Sequence, residues 1–313
     1  SPTLPSPIAS KLPVPFVIGP LNGGLRWPRG YQAEKTRERE WLTHVREAHR
    51  YLPYYSSTYR RSAAILAGFD HTIKDLPRHA TSSGKVFWFP EVGVDPWLFP
   101  PRDRSSLSSR LEFLYVGRLV PYKCSDVAVE AFVRSPLLRQ HRLTVVGDGP
   151  ERPRLVEIIE RHDARDRVTL VGKLTQPEVG QIMANAHVLV FPSIRELGAG
   201  VVVEAMACGL ACVVVDYGAP GALVGQDRGL AVPLGLKPEL TDSVQQALEG
   251  LARDPGRIDH LGRAAQSHAL GFYTWEAKAA KIVEIYEWVL GLRSSKPTFL
   301  APAVLSRSGD RRD

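Results

Sequence analysis

The chain has 313 residues, 44% of them hydrophobic and 23% charged, which is enough apolar material for two folded cores and excludes a disordered or fibrous protein. It contains no run of eighteen apolar residues that could cross a membrane as a helix, and its start, SPTLPSPIASKLP, lacks the charged-then-apolar order of a secretory signal. The net charge of +7 is unevenly placed: residues 1–110 hold 16 Lys and Arg against 9 Asp and Glu, whereas residues 111–313 hold 24 of each.

Along the first third, residues 14–18 form a short apolar run, read as a strand feeding the loop GPLNGGLRWPRG, which holds four Gly and two Pro. In the charged stretch 33–59, Trp41, Leu42, Val45, Ala48 and Leu52 recur at helical spacing, and Pro53 is expected to end or kink that helix. Residues 63–66 and 85–89 read as two further strands. The stretch 100–110, PPRDRSSLSSR, is the natural linker.

From residue 111 the pattern alternates regularly. Strands are expected at 111–116, 143–146, 168–171, 188–191 and 211–215, and helices at 125–133, 154–161, 177–186 and 200–207. Near-continuous apolar strands alternating with helices make a parallel sheet covered on both faces. Ligands bind beyond the carboxyl ends of such strands, so the turns holding Arg118, Gly147–Pro150, Gly172–Lys173 and Glu196 should share one crevice. Three more helices are expected, at 239–251, 258–270 and 275–290, the last with Trp275, Ala279, Ile282, Tyr286 and Val289 on one stripe. The expected layout is an incomplete first domain at 1–105, a second domain at 106–274, a helix at 275–293 returning to the first, and a disordered tail at 294–313. There is no internal repeat.

Several residues could carry chemistry. Glu196 and Glu204 flank a glycine-rich turn and the start of a helix, where free N–H groups and the helix dipole suit phosphate or sugar oxygens. The same two residues could equally be a helix-capping and a surface glutamate. Arg118 and Lys123 flank the turn GRLVPYK and could neutralise a diphosphate, or could be a solvated pair at the sheet edge. Gly147-Asp148-Gly149-Pro150 reads as a plain turn. Neither G-x-G-x-x-G nor a phosphate-binding loop ending in Gly-Lys-Ser/Thr is present, so dinucleotide and nucleoside-triphosphate fingerprints are absent. His187 reads as structural, and Cys208 and Cys212 as small core residues. Three cysteines make no disulfide framework and suit a reducing compartment. Without C-x-x-C or clustered histidines, no structural zinc site is expected. The basic first third is either a solvated face or a surface attracted to an anionic membrane; no nucleic-acid recognition pattern is visible.

Taken in order, YVGRL, Lys123, VVGDGP, VTLVGKL, ANAHVLVFPS, the E-x7-E pair, EAMACG and DYGAPGALV resemble the donor half of family 4 glycosyltransferases of the GT-B fold. The likeness is strong over 111–232. It extends more weakly to PEVGVDPWLF and to the W-x-x-x-A helix. It implies an α/β, GT-B-like protein with two Rossmann-like domains facing across a cleft, the first incomplete at its amino end. A start at Ser1 rather than Met fits a chain that is processed, tagged and cleaved, or cut from something longer. The implied activity is retaining hexosyl transfer from a UDP- or GDP-linked sugar to a glycan or glycolipid, without metal or cofactor, in the cytoplasm or peripherally at the inner membrane face. By this resemblance Arg118 and Lys123 hold the diphosphate, Glu204 the ribose, and Glu196 the sugar. Gly117 and the backbone of Gly198, Ala199 and Gly200 touch the donor, Gly172 and Lys173 lie against the base, and Asn22, Gly23 and Gly24 form an acceptor-side loop. The family's G-F-G after the first Glu is replaced here by Leu197, Gly198, Ala199 and Gly200, and Gly221 stands where a Glu is frequent. A non-catalytic nucleotide-sugar-binding module and a GT-B-type sugar-nucleotide epimerase are the alternatives.

Overall fold

A computed structural model describes residues 6–38, 51–100 and 110–298. The chain divides into two compact units. The first gathers the described residues up to Arg26, those up to Gly93, and those from Trp275 onward. The second gathers Trp27–Glu38 and Val94–Thr274. The expected linker lies almost wholly outside the described residues, as do Trp41, Leu42, Val45 and Ala48 of the expected long helix.

The first unit is built on three parallel strands in the order β1 (Val17–Leu21), β2 (Ala64–Ala67) and β3 (Val86–Trp88). β1 starts later than the apolar run predicts, because Pro13 and Pro15 cannot donate to a ladder. The ends of the expected 33–59 helix are two separate helices, Gln32–Arg37 in the second unit and Tyr55–Arg61 in the first. The helix Trp275–Val289 covers one face of this sheet. Its packed residues are Ile282, Ile285, Trp288 and Val289, set against Ala64, Leu66, Phe87 and Phe89. The expected stripe is therefore rotated: Trp275 and Tyr286 are exposed, while Lys278 is buried. The Lys278 amine donates to Pro90 O and lies 4.1 Å from the Phe89 ring centre. Of the expected disordered tail, residues 294–298 are described, and Lys296 Nζ donates to Val86 O at 2.8 Å. The remainder lies outside the described residues.

The second unit holds six parallel strands: β4 (Glu112–Val116), β5 (Arg142–Val146), β6 (Val168–Gly172), β7 (Val188–Phe191), β8 (Ala211–Val215) and β9 (Gly229–Val232). Their order across the sheet is β6-β5-β4-β7-β8-β9. β7 and β8 are buried along their whole length, as strands covered on both faces should be. Helices Ser125–Arg134 and Lys237–Arg253 contribute Val129, Phe132, Val244 and Leu248 to the core on one face. Tyr31, from the upstream segment, is 2% exposed in that core and donates from its phenol to Gly235 O at 2.8 Å. Lys237 bridges Asp126 at 3.0 Å and Glu34 at 3.5 Å, and Arg37 bridges Glu151 at 2.5 Å, so the segment Trp27–Glu38 is stapled to the second unit by charge as well as by packing. None of the described helices is long and apolar enough to cross a membrane.

Strand order decides where a ligand can enter. From β4 the chain steps outward to β5 and β6, and from β7 it steps outward the other way to β8 and β9. The carboxyl ends of β4 and β7 therefore open a crevice at the point where the winding reverses.

Candidate functional site

A cleft of about 320 Å³ lies at that crevice. The end of β4 and the turn after it supply Val116, Gly117 and Lys123; the turn after β7 supplies Glu196 and Ala199; the following helix supplies Gly200, Val201 and Glu204. Leu174 and Val179, after β6, and Phe99 complete the apolar side, with the Gln176 amide among them.

The turns that shape it are tied together by backbone. Gly117 N donates to Val146 O at 3.0 Å, and Gly147 N to Gly172 O at 2.8 Å. Gly147 has φ +135, and a Cβ there would stand 1.9 Å from Gly117 O, so only glycine allows this approach. Gly147–Pro150 forms a turn in which Asp148 Oδ1 accepts from Gly149 N at 2.8 Å. After β7, Ala199 adopts the left-handed conformation at φ 53 and starts the helix Gly200–Ala207. Among the described residues no side chain caps that helix, whose first residues Gly200 and Val201 line the cleft.

The charges are arranged unequally. Lys123 and Glu196 form an ion pair with side chains 14% and 10% exposed. Ser193 Oγ donates to the same Glu196 oxygen at 2.6 Å. The Lys123 amine also lies 5.0 Å from the Phe191 ring centre. Glu204 is different. Its carboxylate has no hydrogen-bonding or ionic partner among the described residues, and burial pushes its pKa from 4.5 up to about 7. A carboxylate left unpaired at the rim of a cavity is poised to accept hydrogen bonds from something that enters it.

Of the residues singled out from sequence, Gly117, Lys123, Glu196, Ala199, Gly200 and Glu204 meet around this cleft, with Gly198 buried in the turn beside them. Arg118 is exposed and stands outside the lining; its guanidinium donates to the Tyr122 phenol at 2.6 Å. Gly172 and Lys173 precede Leu174 in the β6 turn and do not line the cleft. Asn22, Gly23 and Gly24 belong to the first unit. There Asn22 donates to Glu91, and Gly23 is clasped by Thr72, which accepts from its N–H at 3.2 Å and donates to its carbonyl at 2.9 Å. His187 Nδ1 accepts from Glu112 N at 3.1 Å, a structural bond between β7 and β4. All three cysteines are buried and none is in a disulfide. Among the described residues no group of three or more His, Cys, Asp or Glu is placed to hold a metal ion.

Sequence reasoning did not single out Ser193, Tyr122, Phe99 or Gln176. A serine three residues before the first Glu was the available signal for Ser193. Phe99 comes from a distant loop and ends the PEVGVDPWLF stretch, whose weak likeness did not single it out.

Residues 102–266, more than half of the chain, match the family described as Glycosyl transferases group 1. The chain is 29% identical over 241 residues to a D-inositol 3-phosphate glycosyltransferase of Streptomyces bingchenggensis, covering 71% of this chain and 52% of that one. It is 32% identical over 232 residues to the Kineococcus radiotolerans protein of the same name, covering 68% and 49%. Among solved structures it resembles sucrose-phosphate synthase from Thermosynechococcus elongatus with a TM-score of 0.64, at 24% identity over 84% of this chain and 65% of that one. It also resembles HepE of Anabaena, solved in complex with UDP and glucose, with a TM-score of 0.63 at 19% identity over 80% of this chain and 68% of that one. At these identities the likeness to solved structures concerns the fold. The chain spans about half the length of the curated relatives it matches. Sequence and architecture agree: this chain belongs to the group 1 glycosyltransferases and has their α/β, GT-B-like fold.

Proposed function

We propose that the protein transfers a hexose, with retention at the anomeric carbon, from a nucleoside-diphosphate sugar to a hydroxyl of a glycan or glycolipid. The observation that carries this reading is the convergence of Lys123, Glu196, Glu204 and an uncapped helix start around one cleft at the winding reversal. HepE with UDP and glucose, and the pneumococcal transferase GtfA with UDP and GlcNAc, support a donor of this class.

In this reading Glu204 accepts hydrogen bonds from the two ribose hydroxyls. Lys123, with Arg118 from the rim, neutralises the diphosphate, and Glu196 accepts from sugar hydroxyls. The acceptor hydroxyl attacks the anomeric carbon on the face from which the diphosphate leaves. The new C–O bond forms as the C–O(phosphate) bond breaks, and the hydroxyl proton passes to the departing phosphate oxygen. Little protein acid or base is then required. Fixed positive charge against the leaving group supplies much of the rate, with Glu196 opposing the positive charge that builds on the sugar ring. Lys123 and Arg118 do the work a metal ion would do, and the reaction needs no cofactor. The basic first third favours an acceptor at an anionic membrane surface facing the cytoplasm.

A thermal-shift panel of UDP-, GDP-, ADP- and dTDP-sugars tests the donor, since a ligand that binds only the folded state raises the melting point. NMR of the product anomer, with and without a chelator, tests retention and metal independence. If none of the sugars raises the melting point, the reading is wrong. Flotation with anionic and neutral liposomes tests the membrane; equal binding to both argues against it.

A further inference from the structure

Arg118 poses a question that the donor reading leaves open. Its neighbours in the β4 turn, Gly117 and Lys123, line the cleft, yet Arg118 is exposed and has a long side chain with many rotamers. A cation meant to meet a diphosphate loses affinity for every rotamer it must abandon on binding. The structure supplies a restraint. Arg118 Nη2 donates to the Tyr122 phenol oxygen at 2.6 Å, and its guanidinium carbon lies 5.9 Å from the same ring's centre. The phenol's own hydrogen is used by no described residue.

Tyr122 is itself held on two sides. Its carbonyl accepts from Ile194 N at 3.0 Å and has Ser193 Oγ 3.3 Å away, which ties it to the turn that carries Glu196. Its ring meets Trp27 edge-on, with centres 6.3 Å apart and planes at 85°. Trp27 is half-buried, with the Arg195 guanidinium 5.0 Å above its ring. Trp27 comes from the upstream segment that packs in the second unit. Edge-to-face aromatic pairs and cation–ring contacts each fix geometry beyond simple burial.

From this arrangement we propose that Tyr122 is a positioning residue for the donor's diphosphate: its phenol oxygen holds the Arg118 guanidinium at the cleft rim, and Trp27 braces the phenol ring. The inference rests on the donor reading above. Lys123, also 5.5 Å from the Tyr122 ring centre, belongs to the same cationic face.

The test is calorimetric binding of UDP, GDP, ADP and dTDP, and of the corresponding nucleosides, to the full chain. Tyr122→Phe removes one oxygen and keeps the ring against Trp27. It should weaken the best-bound nucleoside diphosphate about tenfold and leave the nucleoside unchanged. In an Arg118→Gln background Tyr122→Phe should add nothing further, because the phenol acts through Arg118. Trp27→Phe should give a smaller loss with the same ligand pattern. Unchanged diphosphate affinity in Tyr122→Phe, equal loss of nucleoside and diphosphate, or full additivity with Arg118→Gln would each overturn the proposal. Wild-type protein that binds none of the four diphosphates overturns the donor reading, and this inference with it.

Discussion

Replacing Glu204 with Gln should make the empty protein more stable, and only above acidic pH. The reason is the carboxylate's position on the second turn of the helix Gly200–Ala207, where burial raises its pKa from 4.5 to about 7 and no described group compensates. In the folded chain this side chain holds its proton more tightly than in the unfolded chain. The folded state therefore binds more protons between pH 4.5 and 7, and its stability falls as pH rises through that window. A gap of 7 − 4.5 is 2.5 units, an upper bound of about 3.4 kcal/mol at about 1.36 kcal/mol per unit. The group borders an open cleft, and water reaching it reduces the penalty to about 1.5 kcal/mol. For a unit of this size, about 2–4 °C accompanies each kcal/mol, so Glu204→Gln should melt about 3–6 °C above wild type at pH 8. At pH 5 the gap should shrink to about 1–2 °C. Fluorescence-monitored melting of both proteins at the two pH values measures it. A variant that melts at or below wild type at pH 8, or a gap of equal size at both pH values, refutes the reasoning.

Glu204→Ala should weaken nucleoside diphosphate binding by about 1.5–3 kcal/mol, measured by calorimetry, because charge-assisted hydrogen bonds to the ribose are lost. Glu196→Gln keeps the shape of the turn and should lower turnover by about 10²–10³-fold while nucleotide affinity changes little; steady-state kinetics with a responsive donor separates the two. Lys123→Met leaves the Glu196 carboxylate, 10% exposed, without its ion-pair partner. It should destabilise by about 2–3 kcal/mol, below the usual range for a buried pair because the cleft is open on one side. Adding Glu196→Gln to Lys123→Met should restore part of that loss. Gly147→Ala drives a methyl group to 1.9 Å from Gly117 O and should lower the melting point by at least about 5 °C in the same assay.

The second unit was the more legible of the two, for a physical reason. Strands buried on both faces must be apolar throughout, so β7 and β8 appear in the sequence with the bounds they have in space. Helix starts were predicted late at Arg152–Arg161 and Lys237–Arg253, where an early proline fits the first turn instead of ending the element. The short helix Ala219–Val224 escaped because its glycine and proline read as a loop. In the first unit, the apolar spacing of the last helix placed Trp275 and Tyr286 inside. The sheet it covers instead selects the face with Ile282 and Ile285, and it accepts the Lys278 stem because the amine finds Pro90 O and the Phe89 ring. At the site, the glutamate spacing and the loop lysine were readable as a pattern. That Glu196 is paired while Glu204 stands alone was not, because it depends on where the turns of two non-consecutive strands end.

The second unit is discontinuous in sequence, and that limits how the protein can be cut. A fragment beginning at Val94 and ending at Thr274 would lack Trp27–Glu38. It would carry an empty socket where Tyr31 is otherwise 2% exposed, and it would leave Lys237 without Glu34 and Glu151 without Arg37. Such a fragment should be sticky and poorly soluble. Supplying residues 27–38 as a separate peptide, or fusing them through a circular permutation, should rescue it, since the missing piece is a plug and not a linker.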